Sequence, residues 1–294
     1  MIKVTFDSKG TNLVGNLYIP DNLSEPTPAV VIIGPMTFVK EQSPTEYAKR
    51  LVKEGFITLT FDARYRGESG GSPRNYENPM AKVEDVTSAI NFLISRQEVN
   101  ANNIMGLGIC AGSGVMSKAA SSDQRIKVLA TVAGHYRDQE SDLAWLGTDG
   151  LAARLEKSKA AKAKFEEIGE VEYIDAVDPV RTDVAMPGKA VWDYYGKWAE
   201  MGKWENRYAV ISDIDLLAFE TATAAQKIKQ PYLMIHSDNS FIPDAAHRHF
   251  ERVPGNDKKL LWEGQNSHLQ YYDDPVVIDN AVKNIADWYN QHLH

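Results

Sequence analysis

The sequence predicts an α/β fold, a mostly parallel sheet flanked by helices, with a helical segment inserted late in the chain. Three observations carry that expectation. Short apolar runs such as Ala29-Val30-Val31-Ile32-Ile33 and Phe56-Ile57-Thr58-Leu59-Thr60-Phe61 have the length and composition of strands buried on both faces. Segments of helical periodicity separate them at the spacing of βαβ units. The rhythm stops at His135 and resumes at Pro231.

Taken in order, residues 3–6 and 13–19 read as a strand pair around the turn cluster Ser8-Lys9-Gly10. The run at 29–34 is the first buried strand. Ser43-Pro44-Thr45-Glu46 has the capping-box pattern with proline at the first helical position, so a helix is expected there, ending at Gly55. Residues 56–61 form the next strand and residues 62–74 a glycine-rich loop. A helix follows at about 81–96, with Val83, Val86, Ala89, Ile90 and Leu93 on one face. A strand ending at Ile109, a helix over 111–121 and a strand over 127–133 continue the alternation.

From 135 to 228 the chain reads as helix-like, rich in aromatics, with no convincing strand. A structureless loop of that length is rare in a compact domain, so a helical cap is expected, its aromatics mostly forming its own small core. The α/β core then comprises residues 1–134 and 229–294. Its second part holds a strand at 231–238, a helix at 244–253, a strand at 258–262 and a closing helix at 275–292.

Composition narrows the function. With 43% hydrophobic and 24% charged residues, the 294-residue chain can bury a core. A net charge of −8 argues against nucleic acid or an anionic membrane as partner. No apolar run approaches membrane-spanning length and the first residues lack a signal peptide's apolar region, so a cytoplasmic protein is expected. A single cysteine excludes an intramolecular disulfide framework and a multi-cysteine zinc site. His247-x-His249 alone is a weak ligand set, and no Gly-x-Gly-x-x-Gly dinucleotide fingerprint exists, so no metal and no cofactor is expected. A homo-oligomer is left open.

The chemistry is concentrated at Gly108-Ile109-Cys110-Ala111-Gly112, where a strand meets a helix. Gly-x-nucleophile-x-Gly at such a joint is the pattern of a nucleophile elbow, a strained turn that lifts one side chain above the sheet. Ser113 cannot replace Cys110 in this motif, because Ala111 lies two residues before it. A lone cysteine there can equally be a small apolar filler, so partners decide its role. Among the histidines, His292 and His294 lie at the C-terminal end, His247 and His249 share a helix, and His236 sits within a strand. His135 opens the insertion as a candidate substrate contact from the cap side. His268 alone combines a late position with a loop after a strand.

Cys110, Asp238 and His268 follow the order nucleophile, acid, histidine, each just after a predicted strand, and such strand ends converge on the crevice of an α/β sheet. An imidazole can take the thiol proton, and a carboxylate on its other nitrogen can fix the tautomer. The backbone N–H of Ala111 and, from the loop after Gly34, that of Met36 are the expected oxyanion donors.

These segments, together with Val39-Lys40-Glu41-Gln42 and Phe61-Asp62-Ala63-Arg64-Tyr65-Arg66-Gly67-Glu68-Ser69-Gly70-Gly71, resemble the α/β-hydrolase superfamily, specifically its dienelactone-hydrolase-like branch. The insertion is not covered. The resemblance implies a cysteine nucleophile modulated by a glutamate and an arginine, for which Glu41 and Arg64 are the matching candidates, with loop-bracing ion pairing as the alternative. Two departures stand out. Gly34-Pro35 replaces the His-Gly or His-Pro of relatives, and His-Gly-x-x-Asp would put the acid at Ser240. Asp238 is the nearest carboxylate in that loop and Asp138 the fallback.

The expected activity is hydrolysis of an ester, thioester or lactone through an acyl-cysteine. Acyl transfer or cyclisation through the same intermediate, and a non-catalytic ligand-binding role, are the alternatives. The aromatic insertion points to a bulky or apolar small-molecule acyl substrate.

Overall fold

A computed structural model describes residues 1–21 and 23–293 of the chain; His294 lies outside the described residues. Eight strands form one sheet: β1 (Ile2–Ser8), β2 (Thr11–Tyr18), β3 (Thr27–Ile33), β4 (Ile57–Phe61), β5 (Val99–Ile109), β6 (Ile126–Val132), β7 (Tyr232–His236) and β8 (Lys258–Trp262). Their order is β1-β2-β4-β3-β5-β6-β7-β8. The β1–β2 and β2–β4 pairs are antiparallel and all others parallel. Strands β4 and β7 are buried at every residue, the polar Thr58, Thr60 and His236 included, whereas the edge strand β8 is half-exposed.

Alternate residues of each inner strand feed two cores, one per face. Val30, Ile32, Leu107 and Val128 pack with helices α1 (Ser43–Lys53) and the closing α10 (Pro275–Gln291). Val31, Ile104 and Leu129 pack with α2 (Pro79–Ile94) and α3 (Ala111–Ser122). The predicted capping box is displaced: the N-cap of α1 is Gln42 and its side chain makes no cap bond. A tertiary contact takes over, because the Ser43 N–H donates to the Tyr194 hydroxyl at 2.9 Å.

Between β6 and β7 the chain forms α4 (Gln139–Ile168, broken at Gly147), α5 (Lys189–Glu200), α6 (Ser212–Ala218) and the short α7 (Ala222–Ala225). Contrary to the strand-free expectation, two two-residue ladders are present, Tyr173–Ile174 with Tyr208–Ala209 and Val177–Asp178 with Met186–Pro187. Nor do the aromatics form a separate core: Tyr194, Tyr195, Trp204 and Tyr208 join the cluster that contains β3 and β5. Helices α8 (Pro243–Arg252) and α9 (Gln270–Asp273) precede and follow β8, ahead of the closing α10. No helix among the described residues is long and apolar enough to cross a membrane.

Candidate active site

Strand β5, near the centre of the sheet, ends at Ile109, and Cys110 is the N-cap of α3 with φ +53° and ψ −123°. A non-glycine residue at that φ is strained and must be held by its surroundings. Here the Cys110 N–H donates to Val132 O at 3.1 Å, while its carbonyl accepts from Ser113 and His135 N–H, each at 2.9 Å. The flanking glycines are dictated by space. A Cβ on Gly108 would lie 2.5 Å from Ser113 Cα, and one on Gly112 would lie 2.4 Å from Ile33 O.

Three donors converge on the Cys110 sulfur: the Tyr272 hydroxyl and the backbone N–H groups of Ala111 and Met36. Burial raises the thiol's pKa, and these three hydrogen bonds offset it only in part. The thiol is therefore protonated at neutral pH.

His268 stands behind Tyr272. Its Nε2 lies 2.9 Å from the Tyr272 hydroxyl, and its Nδ1 accepts the Phe241 N–H at 3.2 Å. An Nδ1 that accepts carries no proton, so the neutral ring is protonated at Nε2 and donates to Tyr272. Burial, with a smaller contribution from His236, pushes the His268 pKa down to about 3. The donor chain runs from imidazole to hydroxyl to sulfur.

Asp238 is not brought to this histidine. Its exposed carboxylate accepts the Trp262 indole N–H at 2.8 Å, and its backbone N–H is tied to Gly264 O. The side chain therefore faces β8 instead of the cleft. Asp138 is also occupied, as the capping-box residue of α4 and the partner of Arg248 and Arg252, both at 2.9 Å. These cations hold its pKa well below the carboxylate range against the effect of burial. Ser240, the position to which the resemblance would assign the acid, bonds Ser237 Oγ at 2.9 Å through its own hydroxyl. Among the described residues no carboxylate is hydrogen-bonded to His268.

Glu41 and Arg64 do not reach the thiol either. Glu41 pairs with buried Lys40 at 2.8 Å, beside Asp62 and Glu68. Arg64 pairs with Asp85 at 2.7 Å and Glu84 at 2.5 Å and donates to Ala81 O. Both brace loops, with different partners.

A cleft of about 560 Å³ opens above Cys110. His268, Leu269, Tyr272 and Asn239 to Phe241 line its core side, while Trp145, Met186, Pro187, Ala190, Val191 and Tyr195 line it from the insertion. His135 also lines it. Its ring is perpendicular to Phe241 (centroids 4.8 Å) and Trp145 (5.9 Å), its Nε2 has no partner, and burial drives its pKa well below the ordinary histidine value. Tyr272 went unrecognised in the sequence, and the signal available was its place four residues after His268, on the short helix α9 that follows the histidine's turn.

Residues 41–274 match the hydrolase family described as serine aminopeptidase, S33. The chain belongs to this family. The fold of this S33 member is the α/β-hydrolase fold, as the sequence predicted, while the narrower dienelactone-hydrolase likeness rests on the quoted segments alone. The chain is 28% identical over 303 residues to the uncharacterised protein YcjY of Escherichia coli strain K12, covering 99% of each. The crystal structure of the hypothetical protein PA2218 from Pseudomonas aeruginosa superposes with a TM-score of 0.85 at 27% identity, covering 99% of this chain and 93% of that one. A thiohydrolase of Eupenicillium brefeldianum is 34% identical over 105 residues, 36% of this chain and 34% of that protein.

Proposed function

We propose that this S33 member cleaves a thioester or activated ester of a neutral, largely apolar acyl group, with Cys110 as nucleophile and the insertion acting as a cap. The convergence of the Ala111 N–H, the Met36 N–H and the Tyr272 hydroxyl on a strained cysteine facing the cleft carries this reading. Those two backbone donors are the ones an oxyanion would use once the substrate carbonyl displaces the sulfur from them. The Cys110 S–C bond forms, the bond to the leaving thiol breaks, and the thiol proton moves to the leaving sulfur with Tyr272 alongside. Thiol and leaving thiol are chemically alike, so the exchange is close to thermoneutral, and the proton given up as the attacking thiolate forms is taken by the leaving sulfur. The partial likeness to a thiohydrolase agrees with it.

The cleft sets the acyl group. None of the described residues lining it is an aspartate, glutamate, lysine or arginine, and its two histidines are held neutral by burial. An aminoacyl ammonium would find no carboxylate there, so the aminopeptidase activity in the family's description does not carry over. Turnover of neutral acyl-N-acetylcysteamine thioesters by the wild type, lost in Cys110→Ala, is the expected result; wild-type turnover in Cys110→Ala contradicts the proposal.

One observation favours acyl transfer as the outcome of the second half-reaction. With Phe241 N–H donating to its Nδ1, His268 is poorly placed to draw a proton from water. An amine attacks a thioester readily without that help. Product analysis with and without an added amine separates the two outcomes.

A further inference from the structure

We propose that Tyr195 and Trp204, both on the insertion, are positioning residues that aim the Met36 N–H at the developing oxyanion. The inference rests on the reading of Ala111 and Met36 as the oxyanion donors.

Met36 and Thr37 follow Pro35 in the loop after β3, and no backbone group within that loop bonds their carbonyls. The partners come from far along the chain. The Tyr195 hydroxyl donates to Met36 O at 2.9 Å, and the Trp204 indole N–H donates to Thr37 O at 2.6 Å. From the third side, the buried Glu77 carboxylate accepts the Thr37 N–H at 3.1 Å. All of these residues are buried, and the Tyr195 and Trp204 rings pack on each other with centroids 5.0 Å apart.

Thr37 has φ +61°, a conformation that a β-branched residue avoids. The local sequence does not favour this loop shape, so the surrounding bonds must impose it. The bonds to both carbonyls fix the two peptide planes that follow the Met36 Cα and so limit how the preceding Pro35–Met36 plane can turn, and the N–H of that plane meets the Cys110 sulfur. The elbow supplies its own donor through Ala111, whereas the second donor is set by the insertion. Because Tyr195 also lines the cleft, the surface that touches substrate is continuous with the one that shapes the oxyanion site.

The test uses the full chain carrying Tyr195→Phe or Trp204→Phe. Each change removes one donor and keeps an aromatic ring, and Trp204 is not a cleft-lining residue. Two rates are compared, turnover of an acyl-N-acetylcysteamine thioester and alkylation of Cys110 by iodoacetamide. Alkylation displaces iodide at a saturated carbon and forms no oxyanion. In both variants kcat is expected to fall about tenfold or more, with KM changed less than about twofold. The thiol ionises at somewhat higher pH as the Met36 donor is misaimed, so alkylation is compared as its limiting rate at full ionisation of Cys110, which is unchanged. A kcat within about twofold of wild type in both variants overturns the inference, and so does a parallel fall of both rates, which would mark a general structural role. Cys110→Ala, run alongside, separates the two levels. Loss of turnover there with normal kcat in both aromatic variants sinks this inference alone, whereas turnover in Cys110→Ala removes the catalytic reading beneath it.

Discussion

Tyr272 places its hydroxyl 2.9 Å from His268 Nε2 and bonds the Cys110 sulfur with the same oxygen, so the imidazole meets the thiol through a phenol. The Phe241 N–H on Nδ1 gives that chain its direction, with protons pointing from His268 toward sulfur. Replacing Tyr272 by Phe breaks the chain and leaves the cleft wall in place. Thioester turnover is expected to fall by about ten- to a hundredfold, and the thiol to ionise at higher pH because one donor to the thiolate is gone. Unchanged turnover and an unchanged alkylation profile in Tyr272→Phe would count against the relay.

The ionisation state of the site has its own signature. Burial raises the Cys110 pKa and lowers that of His268 to about 3, so the resting pair is neutral. The rate of iodoacetamide alkylation should climb steadily with pH from about 5 to about 9, following the thiolate fraction. A thiolate–imidazolium pair would instead give a plateau beginning in the acidic range, and that profile would exclude the neutral resting state.

Asp238 offers the sharpest contrast between chain order and side-chain direction. Its carboxylate serves Trp262 on the exposed side of the loop. Asp238→Ala should keep turnover within about threefold of wild type, the change coming only from lost loop anchoring. A loss comparable to that of Cys110→Ala would restore Asp238 as the acid of a triad formed in another loop conformation.

What could be read from the chain followed from repeated physical constraints. Both faces of β3, β4 and β6 are covered by helices, so β3 carries the run Ala29 to Ile33 and the other two use apolar and β-branched residues on both faces, and those strands were visible. The elbow was visible because two backbone contacts closer than 2.7 Å leave room only for glycine at 108 and 112. The start of α1 misled because Ser43 spends its N–H on Tyr194, 151 residues away, a bond with no local trace. The two-residue ladders of the insertion are too short to show a period of two. Chain order placed Asp238 and His268 in neighbouring loops yet carried nothing about which way a carboxylate points. Tyr272 acts from the short helix α9 on His268 in the turn just before it, a juxtaposition which no motif marks.

Buried neutral histidines also predict acid sensitivity. Burial lowers the pKa of His249 to about 3 and of His236 to about 4 and holds His135 well below its ordinary value. The unfolded chain takes up protons at these sites below about pH 6.5, whereas the folded chain does not. Stability is therefore fully present above that pH and falls as the pH drops toward 4, by up to about 1.4 kcal/mol per pH unit for each group. His249 stacks on Tyr136 with ring centroids 4.1 Å apart and neither ring nitrogen has a partner, so His249→Phe preserves the packing and removes one titration. Denaturant unfolding at about pH 7 and about pH 5.5 should show a shallower loss in the variant. Identical losses in the two proteins would rule out His249 as a contributor.

The covalent intermediate itself is the most direct measurement. Wild-type protein mixed with a short neutral acyl-N-acetylcysteamine thioester, quenched in acid within seconds and weighed intact, should carry one acyl group. Peptide mapping should place that group on Cys110, and hydroxylamine should remove it. An enzyme that turns the thioester over while Cys110 stays unmodified under every quench time, or an acyl group mapped to another residue, would contradict the account.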